Sequence, residues 1–82
     1  MKNIYVGNLV YSATNEEVKE LFSQFGEVFS VKLISDRETK RPKGFGFVEM
    51  QKENANEAIA KLDNTDFMGR IIRVTEANPK KS

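Results

Sequence analysis

Residues 44–50 alternate between two kinds of side chain, and this alternation constrains the fold more than any other feature of the sequence. Gly46, Val48 and Met50 are small or aliphatic, whereas Phe45, Phe47 and a carboxylate stand between them. Neighbouring residues of a β-strand point to opposite faces of its sheet. The small and aliphatic set suits a face that packs against helices. The segment therefore predicts a strand with one buried face and one open face.

The rest of the chain predicts three more strands and two helices. Residues 3–6, 28–34 and 70–75 are apolar and rich in β-branched side chains, and turn residues bound them. A capping box, Thr14 with Glu17, and apolar residues spaced i, i+3, i+4, i+7 predict a helix over residues 14–25 that ends at Gly26. The same spacing predicts a second helix over residues 53–62. A turn through Phe67, Met68 and Gly69 leads into the last strand.

The predicted order β-α-β-β-α-β belongs to the α+β class and to the ferredoxin-like arrangement. In that arrangement two helices cover one face of a four-stranded antiparallel sheet and the other face stays open. Residues 1–77 then form one domain, and residues 78–82 form a short, basic, disordered tail. We expect function to reside on the open face.

Composition excludes several classes of protein. The chain has 82 residues with no Cys and no His, so disulfides, most zinc sites and the usual general base are absent. The nearest glycine motif, Gly44-Phe45-Gly46, lacks the third glycine of a dinucleotide-binding loop. No apolar run approaches the roughly 20 residues of a membrane span. We therefore expect a cytoplasmic monomer with no catalytic activity, cofactor, metal, membrane or small-molecule substrate.

The charge balance restricts how the chain could bind an anion. Thirteen Lys and Arg oppose twelve Asp and Glu, for a formal net charge of +1, so the chain is no polycation. Anion binding must come from local clusters. The stretch 37–43, with Arg41 and Lys43, is such a cluster and predicts a flexible basic hairpin loop. This loop either steers a polyanion toward the sheet or only adds solubility.

Three aromatic residues are predicted on the open face, although so short a chain is expected to keep its aromatics in the core. Tyr5 alternates with two aliphatic residues of the first strand. Phe45 and Phe47 are among the residues of the third strand that point to the open face. The alternative is that the sheet is oriented the other way. That orientation would bury Lys43 and Glu49 without partners, which costs several kcal/mol. Flat rings with cations at their rim suit unstacked bases with their phosphates.

Two segments now carry a family resemblance. Residues 43–50, Lys-Gly-Phe-Gly-Phe-Val-Glu-Met, resemble the RNP1 signature of the RNA recognition motif and match six of its seven specified positions. Residues 4–9, Ile-Tyr-Val-Gly-Asn-Leu, resemble the partner RNP2 signature. The chain is similar to the small single-domain bacterial and cyanobacterial members. Met50 departs from the aromatic that the family prefers, and by alternation it faces the core, where Met fills gaps well.

The resemblance implies a role for each signature residue. Tyr5 and Phe47 match the positions that stack two successive bases, and Phe45 matches the one that packs against the sugars between them. Lys43 matches the cation that meets a phosphate. The implied partner is single-stranded RNA. Single-stranded DNA and a protein partner on the same fold are the alternatives.

Further contacts follow from alternation. Asn3, Lys32 and Arg73 should share the open face, together with Ile34 and Thr75, if Ile72 and Val74 are the buried pair of the last strand. The alternative for Lys32 and Arg73 is a solvated edge charge. Glu49 would repel phosphate. We interpret it either as an acceptor for base amino groups or as an ion-pair partner of Arg73 or Lys43.

Overall fold

Five β-strands and two α-helices form the part of the chain that the structure, a computed structural model, describes: residues 1–10, 12–35 and 42–77, with backbone only at 35, 42 and 43. The strands are β1 (Lys2–Gly7), β2 (Val28–Ser35), β3 (Pro42–Met50), β4 (Thr65–Phe67) and β5 (Arg70–Glu76). The helices are α1 (Asn15–Ser23) and α2 (Lys52–Leu62).

Helix α1 begins where its capping box predicts. The Glu17 backbone N–H donates to the Thr14 hydroxyl at 3.2 Å, and the Thr14 N–H donates to the Glu17 carboxylate at 2.9 Å. Two of the four N–H groups that a helix start leaves unpaired are thereby satisfied. The helix ends at Ser23, two residues earlier than predicted, and Phe25 closes a tighter turn onto the Phe22 carbonyl.

The sheet is antiparallel with the strand order β2-β3-β1-β5-β4. Strand β1 therefore lies between β3 and β5, which come from distant parts of the sequence. Tyr5 stands opposite Phe47 on one side and opposite Thr75 on the other. This register brings the two segments that resemble family signatures onto adjacent strands.

The prediction of four strands is wrong by one short strand. Thr65–Phe67 pairs with the first half of β5, from Thr65 opposite Ile72 to Phe67 opposite Arg70. The connecting residues Met68 and Gly69 both have positive φ, at 55° and 92°. A two-residue hairpin turn of this kind twists with the strands that it joins. Only three residues long, β4 carries no detectable alternation.

Both helices cover one face of the sheet. The core consists of residues from the covered face and the inner faces of the helices. Among its members, Ile4, Val6, Val18, Phe22, Val48, Met50, Ile72 and Val74 are at most 1% exposed. The expected buried pair of the last strand and the inward position of Met50 are thereby confirmed.

Two sequence predictions fall outside the described residues. These are most of the basic hairpin loop, with Arg41, and the tail of residues 78–82. The loop was predicted to run through Lys43, but the backbone of β3 begins at Pro42. Neither described helix is long and apolar enough to cross a membrane.

Candidate nucleic-acid interface

Tyr5, Phe45 and Phe47 form one cluster on the open face of the sheet. The Tyr5 ring lies 5.9 Å from each phenylalanine ring, and the two phenylalanine rings lie 6.2 Å apart. The planes cross at 34° to 88°, which are tilted and edge-to-face arrangements that aromatic pairs prefer. All three side chains are partly exposed and lie outside the buried core. A ring surface is therefore presented to solvent.

The strand register arranges the neighbours of these rings in rows, because residues directly opposite each other share a face. One row runs Lys32, Phe47, Tyr5, Thr75 across β2, β3, β1 and β5. The next runs Ser30, Glu49 and Asn3, and the Ala77 N–H donates to the Asn3 carbonyl at 2.9 Å. The rings thus lie beside a polar row.

Gly7 provides the space that the Tyr5 ring occupies. A Cβ on Gly7 would lie 2.5 Å from the Tyr5 hydroxyl oxygen and 2.8 Å from its ring carbons. The Gly7 backbone has no positive φ, so a Cβ at this position would conflict with the Tyr5 ring and not with the backbone conformation. Glycine within a strand often marks such a close approach. The ring of Tyr5 therefore lies along its own strand.

A shallow groove of about 670 Å³ passes over two of the rings. Tyr5 and Phe47 contribute apolar surface to it, and Asn3, Lys32 and Glu49 contribute polar groups. Asn3 and Lys32 are exposed, as alternation predicts. The groove runs across β2, β3, β1 and β5 and is open to solvent, so it suits an extended polymer better than a compact small molecule.

Arg73 lies at the edge of this surface, where its largely exposed side chain forms an ion pair with Asp63. Its Nε is 3.4 Å from Asp63 Oδ1, and the Val74 N–H donates to the same oxygen at 2.9 Å. The Val74 hydrogen bond, more than the Arg73 charge, holds the pKa of Asp63 below its ordinary value of 3.8. The interpretation of Arg73 as the partner of Glu49 is therefore wrong.

Glu49 instead contacts Ser30. The Ser30 hydroxyl donates to Glu49 Oε1 at 3.3 Å. The other proposed partner, Lys43, stands six residues along β3, about 20 Å from Glu49 at the rise of a strand. Ser30 was missed from the sequence, although alternation from Lys32 places it on the same face.

Sequence reasoning also missed the side-chain contacts of Asn8, which follows the last residue of β1. Asn8 adopts a positive φ of 60° and donates through Nδ2 to the Ile71 carbonyl at 2.5 Å. Its side-chain oxygen accepts from Arg70 Nη2 at 2.7 Å. Asparagine tolerates this conformation and is common in turns. Asn8 thereby joins the end of β1 to the β4–β5 hairpin.

The profile of one protein family, described as the RNA recognition motif, matches residues 4–73. The Nostoc sp. protein "Putative RNA-binding protein RbpE" is 48% identical over 80 residues, covering 96% of this chain and 81% of that one. The human cleavage stimulation factor subunit 2 tau variant is 43% identical over 83 residues. This chain spans only 14% of that much longer relative.

Solved structures show the same fold. The crystal structure of RNA binding protein PG1 has a TM-score of 0.93 at 44% identity, and the match covers 100% of both chains. The solution structure of the ss-DNA binding protein 12RNP2 precursor from Helicobacter pylori is 84% identical, with a TM-score of 0.76 over 94% of this chain and 100% of that one. The matched profile spans both signature segments and all the elements between them. The chain belongs to the RNA recognition motif family.

Proposed function

We propose that this chain binds single-stranded RNA by stacking bases on Tyr5 and Phe47, and that it does so without catalysis. The observation that carries this proposal is the cluster of three partly exposed rings, all within 6.2 Å of one another. Stacking on an aromatic side chain contributes about 1–3 kcal/mol per base. Phe45 lies beside both rings, where a sugar between two stacked bases would pack.

The charge distribution supports stacking as the main source of affinity. With a formal net charge of +1, the chain can neutralise only a few phosphates. Lys32 adjoins Phe47 on the open face, and we assign phosphate contacts to it and to Lys43, Arg41 and Arg73. A small number of contacts predicts a shallow dependence of affinity on salt. The binding unit is residues 1–77, with 78–82 as a tail, and the expected location is the cytoplasm.

The experiment compares Phe47→Ala with Phe29→Ala in titrations of short RNA oligomers. Phe29 is 41% exposed on β2, but it adjoins α1 residues and not the ring cluster. Phe47→Ala should weaken binding by about 5- to 150-fold, the loss of one stacked base. Phe29→Ala should bind like the wild type. Equal affinity of the Phe47→Ala variant and the wild type would refute stacking at this cluster.

Single-stranded DNA is the second candidate ligand. It is favoured by the 84% identity of this chain to the ss-DNA binding protein 12RNP2 precursor. Aromatic rings do not detect the 2′-hydroxyl, and Phe45 can pack against either sugar. Matched RNA and DNA oligomers distinguish the two: tighter binding of RNA supports a contact to the 2′-hydroxyl, and equal binding indicates stacking alone. Chemical-shift changes confined to α1 and α2 in the presence of a protein would instead support a protein-interaction module.

A further inference from the structure

The carboxylate of Glu49 stands where a nucleic-acid surface is expected to carry no negative charge. Glu49 is partly buried, two residues along β3 from Phe47 and on the same face. It lines the groove together with Asn3 and Ser30. A carboxylate repels phosphate, so it must either be neutralised by a cation or have a different role.

No cation neutralises Glu49 within the described residues. The ion pairs there join Lys2 to Glu76 and Arg73 to Asp63. Lys32 is diagonal to Glu49 across β2 and β3 but forms no ion pair with it. Ser30 is the one described hydrogen-bond donor to Glu49, and it contacts Oε1. Glu49 Oε2 therefore has no donor in the described part of the chain.

An ionised carboxylate offers two acceptor oxygens and no donor. It matches a base edge that presents two adjacent N–H donors. Guanine alone has this edge, because its N1–H and N2–H₂ groups lie side by side. Adenine and cytosine place a ring-nitrogen acceptor beside their amino group, and uracil places its single N–H between two carbonyls.

Asn3 completes this match. It is exposed and lies directly opposite Glu49 on β1, a separation of about 5 Å between Cβ atoms. Its amide N–H₂ can donate to the O6 acceptor that adjoins N1 of guanine. The pair thus presents one donor and two acceptors to an edge that carries one acceptor and two donors.

We propose that Glu49 and Asn3 select guanine at the base that stacks beside Phe47. This inference rests on the proposed function, since it needs a base on the ring cluster. Hydrogen bonds to a charged acceptor are about twice as strong as neutral ones. A two-bond contact of this kind discriminates about ten-fold or more against other bases.

The test uses oligouridines of about eight nucleotides. One central nucleotide is replaced by guanosine, inosine, adenosine or cytidine, or is left as uridine. The wild type should bind the guanine oligomer about ten-fold more tightly than the uracil oligomer. Inosine lacks the N2 amino group and should fall between them. Equal affinity for guanine and inosine would overturn the two-donor contact even if no variant folded.

The matched variants are Glu49→Gln and Glu57→Gln. Both remove one negative charge, but Glu57 is exposed on α2, on the opposite side of the sheet. Glu49→Gln should abolish the preference for guanine, because an amide offers one acceptor and one donor. Glu57→Gln should keep it. If Glu49→Gln keeps the preference too, the assignment of Glu49 is wrong.

The outcomes separate this inference from the proposed function. If every oligomer binds with equal affinity and Phe47→Ala weakens them all, RNA binding stands and guanine selection fails. If no oligomer binds the wild type, and no resonance of Tyr5 or Phe47 shifts, the proposed function itself fails.

Discussion

Each central strand of the sheet contributes one set of residues to the core under the helices and another set to the open face. On β1, β3 and β5 the core-facing residues in the middle of each strand, such as Val6, Val48 and Val74, are at most 1% exposed under the helices. Residues that alternate with them, such as Tyr5 and Phe47, are partly exposed on the other side. Adjacent residues of one strand therefore contribute separately to stability and to binding. Substitutions on the two faces should differ in what they damage.

The largest effect is expected on the helix-covered side. Phe22→Ala removes a side chain with no exposed surface and should lower the free energy of unfolding by about 3–5 kcal/mol. Phe47→Ala removes a partly exposed ring and should cost about 1 kcal/mol, near the centre of the distribution for point substitutions. Urea unfolding measures both. Equal losses would show that the open-face rings are part of the core.

Substitutions of two glycines are expected to have effects of intermediate size, one mainly on RNA affinity and the other mainly on stability. Gly7→Ala places a Cβ against the Tyr5 ring and should displace it, at a cost of about 0.5–1.5 kcal/mol, seen as several-fold weaker RNA binding. Gly69→Ala meets no atom within 4 Å but forces a φ of 92° on an L residue, which costs about 1–2 kcal/mol of stability.

Titration and thermal unfolding of both glycine variants measure the two effects. Gly7→Ala should lose mainly affinity, with a shifted Tyr5 ring resonance, and Gly69→Ala should lose mainly stability. The opposite pattern would contradict the assignment of Gly7 as the residue that positions Tyr5.

The smallest effect is expected at the edge of the sheet, where Asp63 accepts from Val74 and Arg73. The pKa of Asp63 is lowered in the folded chain, so its carboxylate contributes stability above its ordinary value of 3.8, and this contribution is lost as pH falls below that value. Wild type should therefore exceed Asp63→Asn in stability at neutral pH, by a margin that shrinks below pH 3.8. Urea unfolding across acid pH measures this margin; a constant margin would contradict the role of the charge.

The features that sequence could predict are those with a local signal. The capping box located α1, and alternation along 44–50 placed Phe45, Phe47 and Glu49 on one face. Strand β4 escaped because three residues are too few to show a period. The pairing of Arg73 with Asp63 escaped because it depends on where the end of α2 meets β5, a long-range packing relation that no local pattern encodes.

Because β1 lies between β3 and β5, the surface around its ring is complete only after both later strands have been synthesised. Tyr5 is held between Phe47 and Thr75, and the Ala77 N–H reaches back to the Asn3 carbonyl. During translation the first ring leaves the ribosome long before its last flanking strand is available. A chain cut short before β5 lacks Ile72 and Val74 of the core, so we expect it to lose the fold and with it all binding, and not to lose binding by degrees.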